Sequence, residues 1–256
     1  MGPRPYGFHT KNEIGLWFKL IYNPSMKKLF IILFFSLALI GSTYADARNF
    51  SFEIKNTKIN VRTPDGFFNS TSTYPEYLGQ LQAMYPESQI VLAALTPKTD
   101  IETSKFSRYM IFSTLKRLTK EKISQKPFNG LKEEIREQQF TLLNEMRERA
   151  DQALIDGSYR VGKRNGIEFK ILLNESTPLG VFFENKNSIS HSSIASSTRT
   201  INGISENFYQ IFSTSIVLIK KKIIFVYIYS DYDSEKDITW IEGKTKELVS
   251  LLIKNN

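Results

Sequence analysis

The order of apolar patterns along the chain predicts an α+β protein, in which helices cover an antiparallel sheet. Three observations support this fold class. Residues 158–230 contain six apolar or alternating runs separated by short polar turns, which is typical of an antiparallel meander. Amphipathic patterns of helical period fill residues 131–153, before the meander, and residues 237–253, after it.

The first half of the domain is expected to supply short strands and one helix. The Pro64-Asp65-Gly66 sequence predicts a turn, because Pro fixes φ and Gly permits a positive φ. Pro75 suits the first position of a helix, and Pro86 cannot continue it. The expected elements are strands at 49–54, 58–61, 89–95 and 108–115 and a helix from Pro75 to about Tyr85.

The longest element is expected to be an amphipathic helix that ends at Gly157, a residue type common just past helix C-termini. Its apolar stripe consists of Leu131, Ile135, Leu142, Met146, Ala150 and Ala153. A coiled coil needs three or four clean heptads, which this segment does not supply. The stripe is therefore interpreted as a surface that packs on the core.

The second half is expected to form a meander and a final helix. Asn165-Gly166 and Asn202-Gly203 are typical hairpin turns. Lys220-Lys221-Lys222 is interpreted as a solvated hairpin turn in preference to a binding patch. Ser234 and Asp237 are expected to form a capping box at the start of the last helix. The expected strands are 159–163, 167–173, 179–184, 189–199, 207–218 and 222–230.

Several of these features together resemble the PsbP-like α/β/α sandwich, a family named for an extrinsic protein of photosystem II and also found in exported bacterial proteins. They are the Pro64-Asp65-Gly66-Phe67 turn after a short strand, the long middle helix, the meander, and the strand FVYIYSDYD that leads to the helix of Trp240. The resemblance covers most of residues 49–253. It implies an accessory or binding protein, and no functional residue of the family is matched to a position here.

Residues 26–47 predict a secretory signal peptide. Lys27 and Lys28 precede an apolar run at 29–40, and small residues around Ala45 and Ala47 offer a cleavage point. The apolar run has 12 residues, whereas a bilayer span needs about 20. An uncleaved signal anchor is the alternative. Residues 1–25 are interpreted as an upstream extension or an overcalled start, and residues 48–256 as a single α+β domain.

Composition limits the function classes. The chain has no cysteine, which excludes thiol catalysis, cysteine-ligated zinc and a lipoprotein anchor. From Arg48 onward it carries 29 Lys and Arg against 24 Asp and Glu, a mild net charge of +5. This charge is interpreted as an ordinary soluble basic surface, and anionic lipid headgroups or acidic glycans are the alternative partners. Nucleic acid is not expected, because no clustered basic and aromatic motif is present.

A calcium site is one candidate. Oxygen-bearing side chains occupy positions 1, 3, 5, 7 and 12 of a twelve-residue pattern, as in an EF-hand loop. These residues are Asp231, Asp233, Glu235, Asp237 and Glu242. Two features depart from the pattern: Lys236 stands where the sharp turn needs Gly, and a strand precedes the loop. The acids are also typical of a helix N-terminus.

A hydrolase is the other candidate, and it would have to use His191, since His9 precedes the signal segment. No Gly-x-Ser-x-Gly elbow is present to expose a nucleophile. The sequence therefore favours a periplasmic or secreted binding or accessory protein without enzymatic activity, with no cofactor and with an unidentified partner in the cell envelope or outside the cell. Membrane association is expected only if the signal segment is retained.

Overall fold

Nine strands and five helices form the fold in a computed structural model, which describes residues 49–103 and 107–256 but no side chains at 101–103 and 138–150. The predicted signal peptide and residues 1–25 lie outside the described residues. The strands are β1 (Asn49–Ile54), β2 (Thr57–Arg62), β3 (Phe67–Asn69), β4 (Gln89–Pro97), β5 (Arg108–Leu115), β6 (Phe169–Asn185), β7 (Ser188–Ile201), β8 (Ile204–Ile219) and β9 (Lys222–Asp231). The helices are α1 (Ser70–Thr73), α2 (Pro75–Met84), α3 (Lys98–Thr103), α4 (Gln125–Asn165) and α5 (Glu235–Lys254).

The centre of the fold is an antiparallel sheet of seven strands in the order β3-β4-β5-β9-β8-β7-β6. The hairpin of β1 and β2 forms a separate antiparallel pair. An antiparallel sheet with helices against it is the α+β class that the sequence predicted. Among the described residues, no helix combines the length and the apolar character needed to cross a bilayer.

Alternation along β9 shows how the sheet separates two apolar layers. Ile224, Val226 and Ile228 pack with Ile241 and Leu248 of α5. The same cluster includes Phe52, Ile54, Ile59 and Val61 of the β1–β2 hairpin. Each fully buried aliphatic side chain contributes about 1.5 to 3 kcal/mol, so α5 and the hairpin hold the main core together.

The opposite face of the sheet lies under α2 and α4. Ile223 and Phe225 of β9 pack with Phe128 and Ile135 near the start of α4. A second cluster on this side joins residues of β4, β5 and β9 to α2; its members are Val91, Ala94, Ile111, Tyr77, Leu78, Leu81, Tyr85, Tyr109, Tyr227 and Tyr229. The sheet therefore has apolar layers on both faces.

The long helix differs from its predicted bounds. It begins at Gln125 and continues through Gly157 to Asn165, so the predicted strand at 159–163 is wrong. A Cβ at Gly157 would lie 2.5 Å from the carbonyl oxygen of Met84 at the end of α2. Gly157 is thus a point of close helix approach instead of a helix end.

The predicted Asn165-Gly166 hairpin is also wrong. Gly166 has φ of 66° and is the left-handed cap that ends α4. A positive φ serves a hairpin turn and a helix C-cap equally well, so the dipeptide alone does not distinguish them. Asn202-Gly203 does join β7 to β8, with φ of 49° and 80°.

The two segments predicted as strands at 167–173 and 179–184 form one edge strand, β6. Its pairing with β7 is irregular at three places, between Leu173 and Glu175, between Pro178 and Gly180, and between Val181 and Phe183. One of these irregularities lies at Pro178, which has no N–H to donate to the hydrogen-bond ladder of the sheet.

Candidate anion-binding cleft

Six lysines meet in a cleft at the end of the sheet where β9 begins. Three segments supply them: the turn between β1 and β2, the loop that leads into α4, and the turn between β8 and β9. The cleft has a volume of about 260 Å³. Its lining residues, named here the lysine cleft, are Lys55, Asn56, Thr57, Lys120, Lys122, Lys220, Lys221 and Lys222.

Lys220 and Lys221 form a turn whose backbone conformation lysine rarely adopts. The two residues join β8 to β9 with φ of 48° and 65°, as a two-residue hairpin of type I′ requires. Asn and Gly are the usual residues there, because the Cβ of other residues lies too close to the following carbonyl oxygen, at a cost of about 1 to 2 kcal/mol in the left-handed region. Lys55, at the first position of the β1–β2 turn, also has a positive φ, of 54°.

Hydrogen bonds that the lysines donate or accept join the three segments. The buried ammonium of Lys222 donates to the carbonyl oxygens of Thr119 and Glu121, both at 2.7 Å. The N–H of Ile123 donates to the carbonyl of Lys221 at 2.9 Å. Lys220 donates from Nζ to the carbonyl of Lys58 at 3.0 Å. These bonds place the three lysine-bearing segments side by side.

The charges of the lysine cleft are not neutralised within the part of the chain that the structure describes. No carboxylate lines the cleft, and none of its lysines takes part in an ion pair there. Lys55, Lys120, Lys122 and Lys221 are exposed at its mouth. Like charges gathered in a concave surface focus a positive potential, which attracts anions.

The sequence predicted the hairpin turn at 220–222 correctly but not the cleft. Lys55, Lys120 and Lys220 are separated by 65 and 100 positions, and only the order of the strands brings them together. The visible signals were a lysine triplet and a Lys-x-Lys pair at 120–122. Each is unremarkable alone, because exposed lysines are common in turns.

The predicted calcium residues lie at the other end of β9. Asp231 ends that strand, and Glu235 is the first residue of α5. Three of the five residues, Asp231, Asp233 and Asp237, line a second cleft of about 330 Å³ together with Asp100 and Arg108. Glu235 and Glu242 are not part of its lining.

Two carboxylates of this acidic cleft, Asp100 and Asp237, already accept hydrogen bonds from the backbone. Asp237 accepts from the N–H groups of Asp233 and Ser234 at 3.1 and 3.0 Å, which completes the predicted capping box. Asp100 accepts from the N–H groups of Ser107 and Arg108. Burial, aided by the neighbouring carboxylates of Asp233 and Asp100, raises the pKa of Asp231.

The helical start at Glu235 also separates the predicted ligands. A helix rises about 1.5 Å per residue, so Glu242 lies about 10 Å further along the axis than Glu235. Among the described residues, no three His, Asp or Glu side chains form a group that could hold a metal ion. The calcium site stays a prediction for a binding measurement.

His191 lies on β7, on the sheet face that α4 covers, between Val181 of β6 and Thr214 of β8. Burial lowers its pKa, which favours the neutral ring. Its Nδ1 atom has no hydrogen-bond partner among the described residues. A catalytic triad needs an acid on one ring nitrogen and a nucleophile near the other, and the described contacts of His191 include neither. The hydrolase stays a prediction.

Comparison with known proteins adds little. No family model matches the chain, and no curated protein matches it. Among solved structures, the Ran-binding protein Mog1p of Saccharomyces cerevisiae is similar at 10% identity, with 81% of this chain and 93% of that chain covered and a TM-score of 0.32. A mutant of Mog1 is similar at 11% identity, with 81% and 94% covered and a TM-score of 0.33. Likeness at that level carries no argument about fold or function.

Proposed function

We propose that this chain is an exported binding or accessory protein without enzymatic activity, and that it engages an anionic partner through the lysine cleft. One observation carries the proposal: six lysines from three segments share a cleft in which no carboxylate of the described residues takes part. The signal-peptide pattern at 26–47 supports export to the periplasm or beyond the cell. The apolar layers on both faces of the antiparallel sheet are compatible with a PsbP-like sandwich, which we also propose.

Binding is tested by calorimetry with dextran sulfate, a polyanion without specific chemistry. The cleft variant carries Lys55→Gln, Lys120→Gln and Lys122→Gln, three exposed positions whose ammonium groups make no hydrogen bond among the described residues. The control variant carries Lys163→Gln, Lys170→Gln and Lys236→Gln, which remove the same charge from exposed positions outside the lysine cleft.

We expect the cleft variant to lose about tenfold or more in affinity, and the control variant to lose much less. The affinity of the unaltered protein is expected to fall steeply with added salt, because binding releases counterions. Equal losses in the two variants would show that net charge alone governs binding. The lysine cleft would then not be the site.

Export is tested by the intact mass of the native protein after cell fractionation. We expect a soluble species that starts near Asp46 or Arg48. A membrane-bound species that retains residues 29–40 would show that the segment is an uncleaved signal anchor. Partners would then be sought among membrane complexes. A cytosolic species of full length would contradict export.

A further inference from the structure

We infer that the ligand of the lysine cleft carries several phosphate groups close together, as in a short polyphosphate or a multiply phosphorylated headgroup. This inference rests on the proposed function and specifies the ligand of the same site. We infer further that Lys220 and Lys221 keep an unfavourable turn conformation because their ammonium groups are needed for this ligand.

The residue types in the cleft define the chemistry that they recognise. The lining contains no aromatic side chain, so it offers no platform on which a nucleic acid base could stack. It contains no arginine, whose planar fork binds two oxygens of a carboxylate or a phosphate at once, so the cleft acts through separate point charges. Lysine is a compact point charge with three donors, and it is a common ligand of phosphate groups.

The charge of the cleft sets the charge of the ligand. Six lysines line a volume of about 260 Å³, which is smaller than most sites for drug-sized molecules. A phosphate monoester brings about 1.5 to 2 negative charges at neutral pH. Two or three linked phosphates therefore match the lysines in charge and still fit the volume, whereas a single carboxylate leaves most of the lysines unmatched.

Lys222 contributes a buried positive charge beneath the exposed lysines of the cleft. Its ammonium is buried and held by the carbonyl oxygens of Thr119 and Glu121, with no carboxylate among its described contacts. A buried ammonium with only neutral partners raises the positive potential of the surface above it. That surface is the floor of the lysine cleft.

The two hairpin turns of β8 provide an internal comparison. Asn202-Gly203 at its start and Lys220-Lys221 at its end both place two residues at positive φ. The first turn uses residue types that tolerate this conformation, and the second uses types that do not. Unfavourable backbone conformations persist where function requires them. Lys220 also has a structural role, because its ammonium donates to the carbonyl of Lys58. The ammonium of Lys221 makes no hydrogen bond or ion pair among the described residues, so this lysine calls for a functional reason.

The experiment exchanges the two turns. The first variant carries Lys220→Asn and Lys221→Gly, and the matched control carries Asn202→Lys and Gly203→Lys. Melting temperature and calorimetric affinity for sodium tripolyphosphate are measured for both variants and for the unaltered protein at about 50 and 200 mM salt, a range over which charge-driven binding weakens. Citrate serves as a comparison ligand that carries three carboxylates, and its negative charge at neutral pH is smaller than that of tripolyphosphate.

We expect the first variant to melt several degrees higher and to bind tripolyphosphate about tenfold more weakly. A role of Lys220 and Lys221 in stability alone would leave the affinity unchanged, and that result would overturn the inference. The control variant is expected to melt lower with the affinity unchanged, because its new lysines lie on a different turn. Citrate is expected to bind at least tenfold more weakly than tripolyphosphate.

Further outcomes separate this inference from the proposed function. If citrate or a single-stranded oligonucleotide binds as tightly as tripolyphosphate, or if dextran sulfate binds and tripolyphosphate does not, the ligand class is wrong and the proposed function stands. If neither dextran sulfate nor tripolyphosphate binds, the inference and the proposed function both fail.

Phosphatidylcholine vesicles with and without a bisphosphorylated lipid then identify the source of the phosphate. Vesicle binding that tripolyphosphate displaces supports a headgroup, and tripolyphosphate binding without vesicle binding supports a soluble ligand.

Discussion

The hydroxyl oxygens of Ser213 on β8 and Thr245 on α5 lie 2.6 Å apart in a completely buried part of the main core. Thr245 Oγ1 is also 2.6 Å from the carbonyl oxygen of Ile241, which has no hydrogen to give. Thr245 therefore donates to Ile241, and Ser213 donates to Thr245. The hydroxyl of Thr245 has only one hydrogen, which fixes the direction of both bonds. The bond between Ser213 and Thr245 links the sheet to the helix that covers it.

We expect Thr245→Val to destabilise the protein by about 1 to 3 kcal/mol, because it leaves the buried hydroxyl of Ser213 without its acceptor. Urea denaturation at neutral pH measures the change. The double variant with Ser213→Ala removes both hydroxyls and is expected to be less destabilised than the sum of the two single variants. Strict additivity would show that the two hydroxyls do not interact.

Gly157 and Gly243 are both helical glycines, and alanine is expected to act on them in opposite directions. At Gly157 the new Cβ would lie 2.5 Å from the carbonyl oxygen of Met84, so α2 and α4 must move apart. At Gly243 nothing lies within 4 Å, so the helix propensity of alanine stabilises by up to about 1 kcal/mol. We expect Gly157→Ala to lower the melting temperature and Gly243→Ala to raise it. A rise for both would contradict the close approach of α2 and α4.

Glu184 joins the edge strand β6 to α4 through an ion pair with the buried ammonium of Lys132 at 3.0 Å and three hydrogen bonds from the Arg136 guanidinium. The hydrogen bonds from Arg136 and Lys132 hold the pKa of Glu184 below its usual value. A carboxyl group whose pKa is lowered by folding stabilises the fold at every pH above the pKa that the group has in the unfolded chain. This contribution is lost as the pH falls through the lower, folded value.

We expect Glu184→Gln to cost about 1 kcal/mol at pH 7, since the pair is partly exposed to solvent. The cost is expected to stay constant down to about pH 5 and to shrink at lower pH. Glu175→Gln on the same strand is the control, because Glu175 is exposed and makes no ion pair among the described residues. A cost for Glu184→Gln that is as large near pH 3 as at pH 7 would exclude the charge as its cause.

Calcium is expected to bind weakly at the acidic end of β9. Asp237 is engaged in capping α5, and the helical start at Glu235 keeps Glu242 away from the aspartates of the loop. Extracellular calcium modules bind in the range of about 0.1 to 1 mM. We expect calorimetry to show no binding in that range for either the unaltered protein or Asp231→Ala. Tight binding that Asp231→Ala abolishes would establish the calcium site in spite of this geometry.

Local chemistry predicted much of the fold. The alternating strands, the buried run of β4, the Asn202-Gly203 turn and the Ser234–Asp237 cap were visible because each depends on residues near in sequence. The prediction of a helix end at Gly157 is wrong because the usual rule for glycine concerns the helix itself. The contact with Met84 that explains this glycine comes from a helix about 70 residues earlier.

The candidate site was hidden for the same reason. Lys222 has its hydrogen-bond acceptors about 100 residues earlier, in a loop whose position depends on the whole order of the sheet. Composition showed a modest positive charge, and nothing in it indicated that the lysines of three turns would share a cleft. The acids at 231–242 do lie close in sequence, so their pattern is visible there, and one of them, Asp237, accepts local backbone hydrogen bonds as the helix cap.

The irregular edge of the sheet determines how a partner can approach. Many proteins recognise a peptide by β-augmentation, in which an extended segment adds a strand to an open edge. Here one edge strand, β6, is interrupted at three places and contains Pro178, and the other, β3, has three residues. Neither offers a regular row of N–H and C=O groups for another chain. The two edges of the seven-stranded sheet therefore disfavour strand addition, both by a peptide and by another copy of the protein.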